Sequence, residues 1–301
     1  MEVIFGGVRN RTFRVPEDAA DRYRGHVTSA EESGTWHYGL IARYWAEFNE
    51  PEPAELAYYR AAIERFGQPA LDLACGTGRL LLPLRAAGLD VDGTDISSDM
   101  LALCQERADR EGLTPRLVAQ AMHNLDLPRR YRTIYICDSF GIGGERANDL
   151  ETLRRIRRHL EPGGALVFSV QMPFDEKDEA SWARWLPGHR GDIPSEWPET
   201  SDRRRAKNGD EFELVARLAE LDVLGQRHIL EMRSRLFRDG AMVAEEFGRL
   251  GESLYFLPEL RLMLDIAGFD DVSVEGRYNG LPVTPDDGTV VVLARAAAPG
   301  A

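Results

Sequence analysis

The sequence predicts an α/β protein: a doubly wound, mostly parallel sheet with an antiparallel β insert after the fifth strand. Three observations carry that expectation. Strand-like and helix-like stretches alternate between residues 70 and 170. At their start, ALDLACGTGRLLLPL (70–84) sets small residues between two apolar runs, so that a buried strand hands over to a helix through Gly76 and Gly78. Residues 211–252 then switch to apolar–polar alternation, with the turn pair Asp239-Gly240 inside it, the pattern of an antiparallel meander.

The elements follow in order. Residues 1–35 carry few periodic apolar positions and read as an irregular arm. TWHYGLIARYWAEF (35–48) is dense in aromatics. Its Trp36, Tyr44, Trp45 and Phe48 suit either the apolar face of a helix or a segment folded over a ligand. PEPAELAYYRAAIERFG (51–67) is a helix, with Pro53 in its first turn, Glu55 at the positive end of the dipole and Gly67 as its stop. ALDLA (70–74) is a strand. GRLLLPLRAAG (78–88) is a helix ended by Gly88, with Pro83 early enough to be tolerated. DVDGTD (90–95) is a strand, and residues 97–112 form a helix capped by Ser97 or Ser98 and stopped by Gly112. RLVAQA (116–121) and RTIYICD (132–138) are strands. In residues 148–164, Asn148 and Glu151 have capping-box spacing, and Leu150, Leu153, Ile156 and Leu160 form one helical stripe. ALVFSV (165–170) is the fifth strand. Residues 173–210 are rich in Asp, Glu, Arg and Pro, with Trp182, Trp185 and Trp197 among them, and the run Arg203–Arg205 reads as a solvated loop. After the meander, 257–269 is a helix and 271–278 and 288–296 are strands. The expected division is an arm and lid (1–52), an α/β core (53–172), a β insert over the site (173–256), and a C-terminal helix with the last two strands (257–301).

Composition bounds the function. The chain has 301 residues, 43% hydrophobic, enough to bury a real core. Its 50 acidic and 37 basic residues give a net charge of -13, which argues against a general nucleic-acid surface. No apolar run approaches the roughly 20 residues of a bilayer span. The opening MEVIFGGVRNRTFRV lacks a signal-peptide pattern, so no membrane partner and a cytoplasmic location are expected. Cys75, Cys104 and Cys137 form no C-x-x-C pair, so neither a disulfide framework nor a metal site is expected.

The glycine turn is where the chemistry begins. Glycine permits a tight bend and lets a ligand approach the backbone, and the helix after it offers free N–H groups. A dinucleotide turn wants G-x-G-x-x-G. Here Leu81 stands at the third glycine, where it would crowd helix–strand packing, so a dehydrogenase is disfavoured.

LDLACGTGRL (71–80) closely resembles the first motif of class I S-adenosylmethionine-dependent methyltransferases. VDGTDISSDML, AQAMHNLDLP, IYICDSFGIGG and LEPGGALVFSV resemble the later motifs, in the family's order and spacing. GFDDVSVEGRY and TVVVLAR resemble its reversed last strand pair. The resemblance implies a seven-stranded Rossmann-like sheet and S-adenosylmethionine as cofactor. On it, Ala74, Cys75, Gly76 and Gly78 form the cofactor loop, and Asp72 orients that loop or reaches the methionine ammonium. Asp95 accepts the ribose hydroxyls. Ile96 and Met100 flank the adenine, with Gln120, Ala121 and Met122 at its edge. Ala121 departs from the Asp or Asn of many relatives and leaves the adenine amino group without a side-chain partner there. Cys137 offers its carbonyl to the cofactor ammonium, and Tyr38 closes over the methionine end. The layout is similar to that of glycine and sugar-amine N-methyltransferases, in which the segment before the first motif is a lid.

Methyl transfer from a sulfonium is an in-line displacement, so the protein must align the reactants, exclude water and manage a proton. His37, Tyr38 and Gln171 are the catalytic expectations. His123 reads as a surface residue and His228 as structural. The function expected is methyl transfer to N or O of a small-molecule acceptor, with a homodimer through the insert as a partner. Two alternatives stand beside it. A nucleic-acid methyltransferase would need the Asn/Asp-Pro-Pro-aromatic motif that CDSFGIGG lacks. A non-catalytic sensor or scaffold would bind the nucleoside without chemistry.

Overall fold

Ala70–Leu73 is β1, wholly buried between two strands that run parallel to it, β2 (Val91–Asp95) and β4 (Tyr131–Ile136). The computed structural model describes residues 34–173, 183–199 and 201–296. The expected arm over 1–33, Trp182 and the tail from 297 lie outside the described residues. β3 (Leu117–Ala119) pairs with β2, and β5 (Leu160–Gln171) pairs with β4, both parallel. β11 (Thr289–Ala296) runs antiparallel to β5 and to β10 (Phe269–Gly276). The seven-stranded order is β10-β11-β5-β4-β1-β2-β3. The strand order therefore reverses between β1 and β4, and the crevice at their C-terminal ends is where such a sheet takes ligands.

Both faces of this sheet are covered. Tyr59 and Ile63 of α2 (Pro53–Phe66), Leu81 and Leu82 of α3 (Leu81–Ala86), and Leu101 of α4 (Ser98–Glu111) pack one side. Leu153 and Ile156 of α5 (Arg146–His159) and Leu260 and Leu264 of α6 (Leu257–Ile266) pack the other. Capping follows the chemistry of the ends. Ser97 accepts a hydrogen bond from the Met100 amide at 3.2 Å, and Gly112 closes α4 in the left-handed region. Glu52 and Glu55 form a capping box on α2.

Boundaries differ from expectation where backbone angles override composition. The helix expected from residue 78 begins at Leu81, because Gly76 and Gly78 take φ of +54° and +81°, outside the right-handed helix. α5 begins at Arg146 rather than behind an Asn148 cap, and Glu145 is its N-cap. The Gly163-Gly164 pair lies inside β5, where the register against β4 shifts between Tyr131 and Thr133. A Cβ on Gly164 would come within 3.0 Å of the Arg132 carbonyl oxygen. The glycines make a bulge there, not a turn.

The second sheet has the order β6-β7-β8-β9, formed by Asp202–Arg205, Glu211–Asp222, Arg227–Arg238 and Ala241–Ser253. All its pairings are antiparallel. Asp239 and Gly240, both at positive φ, turn β8 into β9. The Arg203–Arg205 run is an edge strand and not a loop. It is held by the β7 ladder and by Glu211, which lies 3.3 Å from Arg203 and 2.6 Å from Arg205.

Between the two sheets lies α1 (Gly39–Phe48). Leu40 and Tyr44 pack on Phe212 and Leu236, while Trp36 and Ile41 pack on Leu250. Its first amides are bound to carboxylates on both sides. The Gly39 N–H donates to Asp99 at 2.8 Å and the Leu40 N–H to Glu246 at 2.7 Å. The loop after β4 is joined to the end of β9 by Gly143 N–H to Gly251 O at 2.7 Å and Ser253 N–H to Gly141 O at 2.8 Å. Among the described residues, no helix is long and apolar enough to cross a membrane.

Candidate active site

A cavity of about 550 Å³ opens at the C-terminal ends of β1, β2 and β4, lined also by Thr35, Trp36 and His37 before α1 and by Leu250 and Glu252 at the end of β9. Its floor is the turn after β1. The Ala74 and Cys75 amides both donate to Thr94 O, at 2.8 and 2.9 Å, which bends the chain sharply at the strand end. The Gly76 N–H donates to one oxygen of Asp95 and the Ser97 N–H to the other, each at 2.8 Å. Burial raises Asp95 to about 6, opposed by the bonds from Ser97 and Gly76. A carboxylate has about four lone-pair positions, so two remain for a ligand.

The two glycines have different reasons to be glycine. A Cβ on Gly76 would meet no atom within 4 Å, and the residue lines the cavity. A Cβ on Gly78 would fall 2.7 Å from Cys104 Sγ and 2.8 Å from Leu82 Cγ. Gly78 serves packing and does not line the cavity. Leu81, expected to crowd this packing, fits because Gly93 lies opposite it: a Cβ there would meet Leu81 Cδ2 at 2.8 Å.

Asp72, Ala74, Cys75, Gly76, Asp95, Ile96, Met100, Gln120, Ala121, Met122 and Cys137 all line the cavity. Burial raises Asp72 to about 7, and the Arg79 guanidinium pulls the other way. Gln120 has its side-chain oxygen engaged by the Asp126 N–H at 3.0 Å. The Cys137 carbonyl accepts from Ser139 Oγ at 3.0 Å, and burial raises its thiol well above the ordinary range. That thiol donates to Glu55 at 2.9 Å, and Arg79 pairs with the same carboxylate. Glu55, Cys137 and Asp138 are close enough to share a cation, but the guanidinium already neutralises Glu55.

Of the three catalytic expectations, His37 alone lines the cavity. Its carbonyl accepts from Ser97 Oγ, and its Nδ1 lies 2.5 Å from Thr35 Oγ1. Burial lowers it to about 4, partly offset by the charge of Glu252. Tyr38 sits behind the wall, where its hydroxyl donates to Ile96 O at 3.3 Å. Gln171 is exposed at the end of β5, outside the cavity. His123, expected on the surface, lines the cavity, with its pKa lowered by burial and by Arg155. Glu252, Arg79, Asn148 and Asp149 line it as well, and sequence reasoning missed all four. Burial raises Asp149 to about 6, and it accepts from Tyr255 OH.

Residues 70–164 match the family described as a methyltransferase domain. The cypemycin N-terminal methyltransferase of a Streptomyces species is 27% identical over 229 residues, 75% of this chain and 82% of that one. The first two curated relatives are matched over 56% and 42% of their own length. A S-adenosylmethionine-dependent methyltransferase from Clostridium acetobutylicum superposes with a TM-score of 0.65 at 17% identity, covering 85% of this chain and 98% of that one. A SAM-bound amino pentose methyltransferase from Micromonospora echinaspora, of calicheamicin biosynthesis, gives 0.53 at 21% identity, covering 97% of this chain and all of that one (100%).

Proposed function

We propose that the protein moves the methyl group of S-adenosylmethionine to a nitrogen or oxygen of a small-molecule acceptor. The observation that carries this reading is the Asp95–Gly76 clasp: a buried carboxylate with free lone pairs beside a glycine whose missing Cβ leaves open space on the cavity side. Asp95 and the walls at Ile96, Met100 and Met122 suit the nucleoside. Asp72, with its burial-raised pKa, suits the methionine ammonium, which would favour its ionised form. The cofactor supplies an activated methyl group, and the residues here bind it, align it and keep water out.

The nature of the roof supports a compact acceptor. Trp36, His37 and Trp45 close one side of the cavity, and α1 behind them is tied to both sheets through Asp99 and Glu246. The names of two similar proteins, a cypemycin N-terminal methyltransferase and an amino pentose methyltransferase, fit the same reading. Incubating the protein with methyl-labelled S-adenosylmethionine and a panel of amines, phenols and carboxylates tests it. Label transfer to at least one acceptor is expected. Tight cofactor binding with no transfer to any acceptor would instead favour a non-catalytic sensor.

A further inference from the structure

Resting on that methyl-transfer reading, we propose that Glu252 is the acceptor-side base of the cavity and that His228 positions it. Glu252 stands at the end of β9 and lines the cavity. Its backbone is fixed on two sides, by the β8 ladder, where it faces His228, and by a bridge to Ile142 in the loop after β4. In the order β4-β1-β2, Asp95 ends one outer strand and the loop that holds Glu252 follows the other. A nucleoside clasped at Asp95 and running over the β1 turn therefore points its far end towards Glu252.

Asp72 and Asp95 are taken up by the cofactor in this reading, and the remaining carboxylates of the wall are engaged by the protein. Glu55 pairs with Arg79, Glu52 with Arg277 and Glu50 with Arg107. Asp138 is held by Ser169 and Tyr278, and Asp149 by Tyr255. Glu252 has no such cationic clamp: among the described residues its side chain is hydrogen-bonded to His228 Nε2 alone, at 2.5 Å, through Oε2. Oε1 is left for a ligand. His228 is largely buried, with its ring 6.2 Å from that of Trp185, and is not part of the cavity wall. It acts through Glu252, donating from Nε2 and fixing the carboxylate rotamer. Burial keeps His37, the other imidazole near this carboxylate, neutral at pH 7. A carboxylate that shares the cavity wall with Trp36, His37 and Trp45 suits a cation, which both the charge and aromatic rings attract.

An amine acceptor arrives as an ammonium near pH 7. One N–H bond breaks and its proton passes to Glu252. The freed nitrogen lone pair forms the N–C bond to the methyl carbon while the C–S bond breaks and its electron pair stays on sulfur. The products are the N-methylammonium and the thioether nucleoside, and Glu252 returns its proton to water.

The test uses protein saturated with S-adenosylhomocysteine, with cyclohexylamine and glucosamine as ammonium probes. Cyclohexanol, glucose and cyclohexanecarboxylate are their neutral and anionic counterparts. Calorimetry should show at least one ammonium probe binding about tenfold or more tightly than its counterpart, the factor expected from one desolvated charge contact. E252Q should erase that preference and H228Q should reduce it, both with nucleoside affinity within about twofold of wild type. A purely structural role would instead weaken all probes alike. E252D, which keeps the charge, should retain part of the preference. Equal binding of ammonium and neutral probes by wild type, no binding of either ammonium probe, or a preference that survives E252Q would overturn the proposal. Failure of wild type to bind S-adenosylhomocysteine would instead overturn the methyl-transfer reading itself.

Discussion

Asp72 shows how burial sets chemistry at a single residue. Its folded pKa, raised to about 7, lies above the ordinary carboxyl value, so the folded state holds a proton that the unfolded chain has lost between about pH 4 and 7. Its contribution to stability is therefore full below pH 4 and is lost as pH rises to 7. Asp95 and Asp149, raised to about 6, act in the same direction over a narrower window. His37, lowered to about 4, acts in the opposite direction between pH 4 and 6.5. Urea denaturation of D72N against wild type isolates the Asp72 part. The variant should gain stability relative to wild type as pH rises from 4 to 8, on the order of 1 to 4 kcal/mol. A cationic ligand beside Asp72 should also release protons on binding near pH 6.5. Titrations of S-adenosylhomocysteine in buffers of different ionisation enthalpy would detect that release. The sequence made the place of Asp72, Asp95 and Ala74–Gly76 on the cavity wall legible because their motif is local. Glu252 was not legible, because it reaches the cavity through the β8–β9 register and the Ile142 bridge, and neither is written in a short window.

At the scale of elements, the turn after β1 separates two jobs that the sequence assigns to one motif. Gly78→Ala places a Cβ against Cys104 and Leu82 at a positive φ, and should cost about 2 kcal/mol or more in thermal or urea unfolding. Gly76→Ala meets open space, so its stability cost should stay near the 1 to 2 kcal/mol of backbone strain alone, about, while nucleoside affinity falls. Ser97→Ala removes the cap of α4 and the bond to the His37 carbonyl, at a cost of about 1 kcal/mol in the same assay. Strand alternation and helix stops were readable from composition. The start of α3 was not, since the positive φ of two glycines is a tertiary demand. The fit of Leu81 depends on Gly93, a residue of a neighbouring strand.

For the whole molecule, the cavity belongs to two sheets at once. The segment before α1 is bound to the cap of α4 through Ser97, and the first turn of α1 to α4 through Asp99 and to β9 through Glu246. The end of β9 is bound to the loop after β4 at Gly141 and Gly143. Occupying the cavity should therefore slow amide hydrogen exchange at residues 251–253 and 39–42 together with the β1 turn. Protection confined to the turn would show that the roof does not respond to the nucleoside. The order of the elements was legible in the sequence, but which part of the insert meets the cavity was not, since that depends on Trp36 before α1 and Tyr44 within it packing against the second sheet.

The clasp of the nucleoside by Asp95 and Gly76 is tested by the dissociation constant of S-adenosylhomocysteine for D95A, measured by calorimetry beside wild type. Loss of two ligand hydrogen bonds and of the Gly76 clasp should raise it about 100-fold, or about 2.7 kcal/mol. An affinity within about twofold of wild type, in a variant that still folds, would contradict the account.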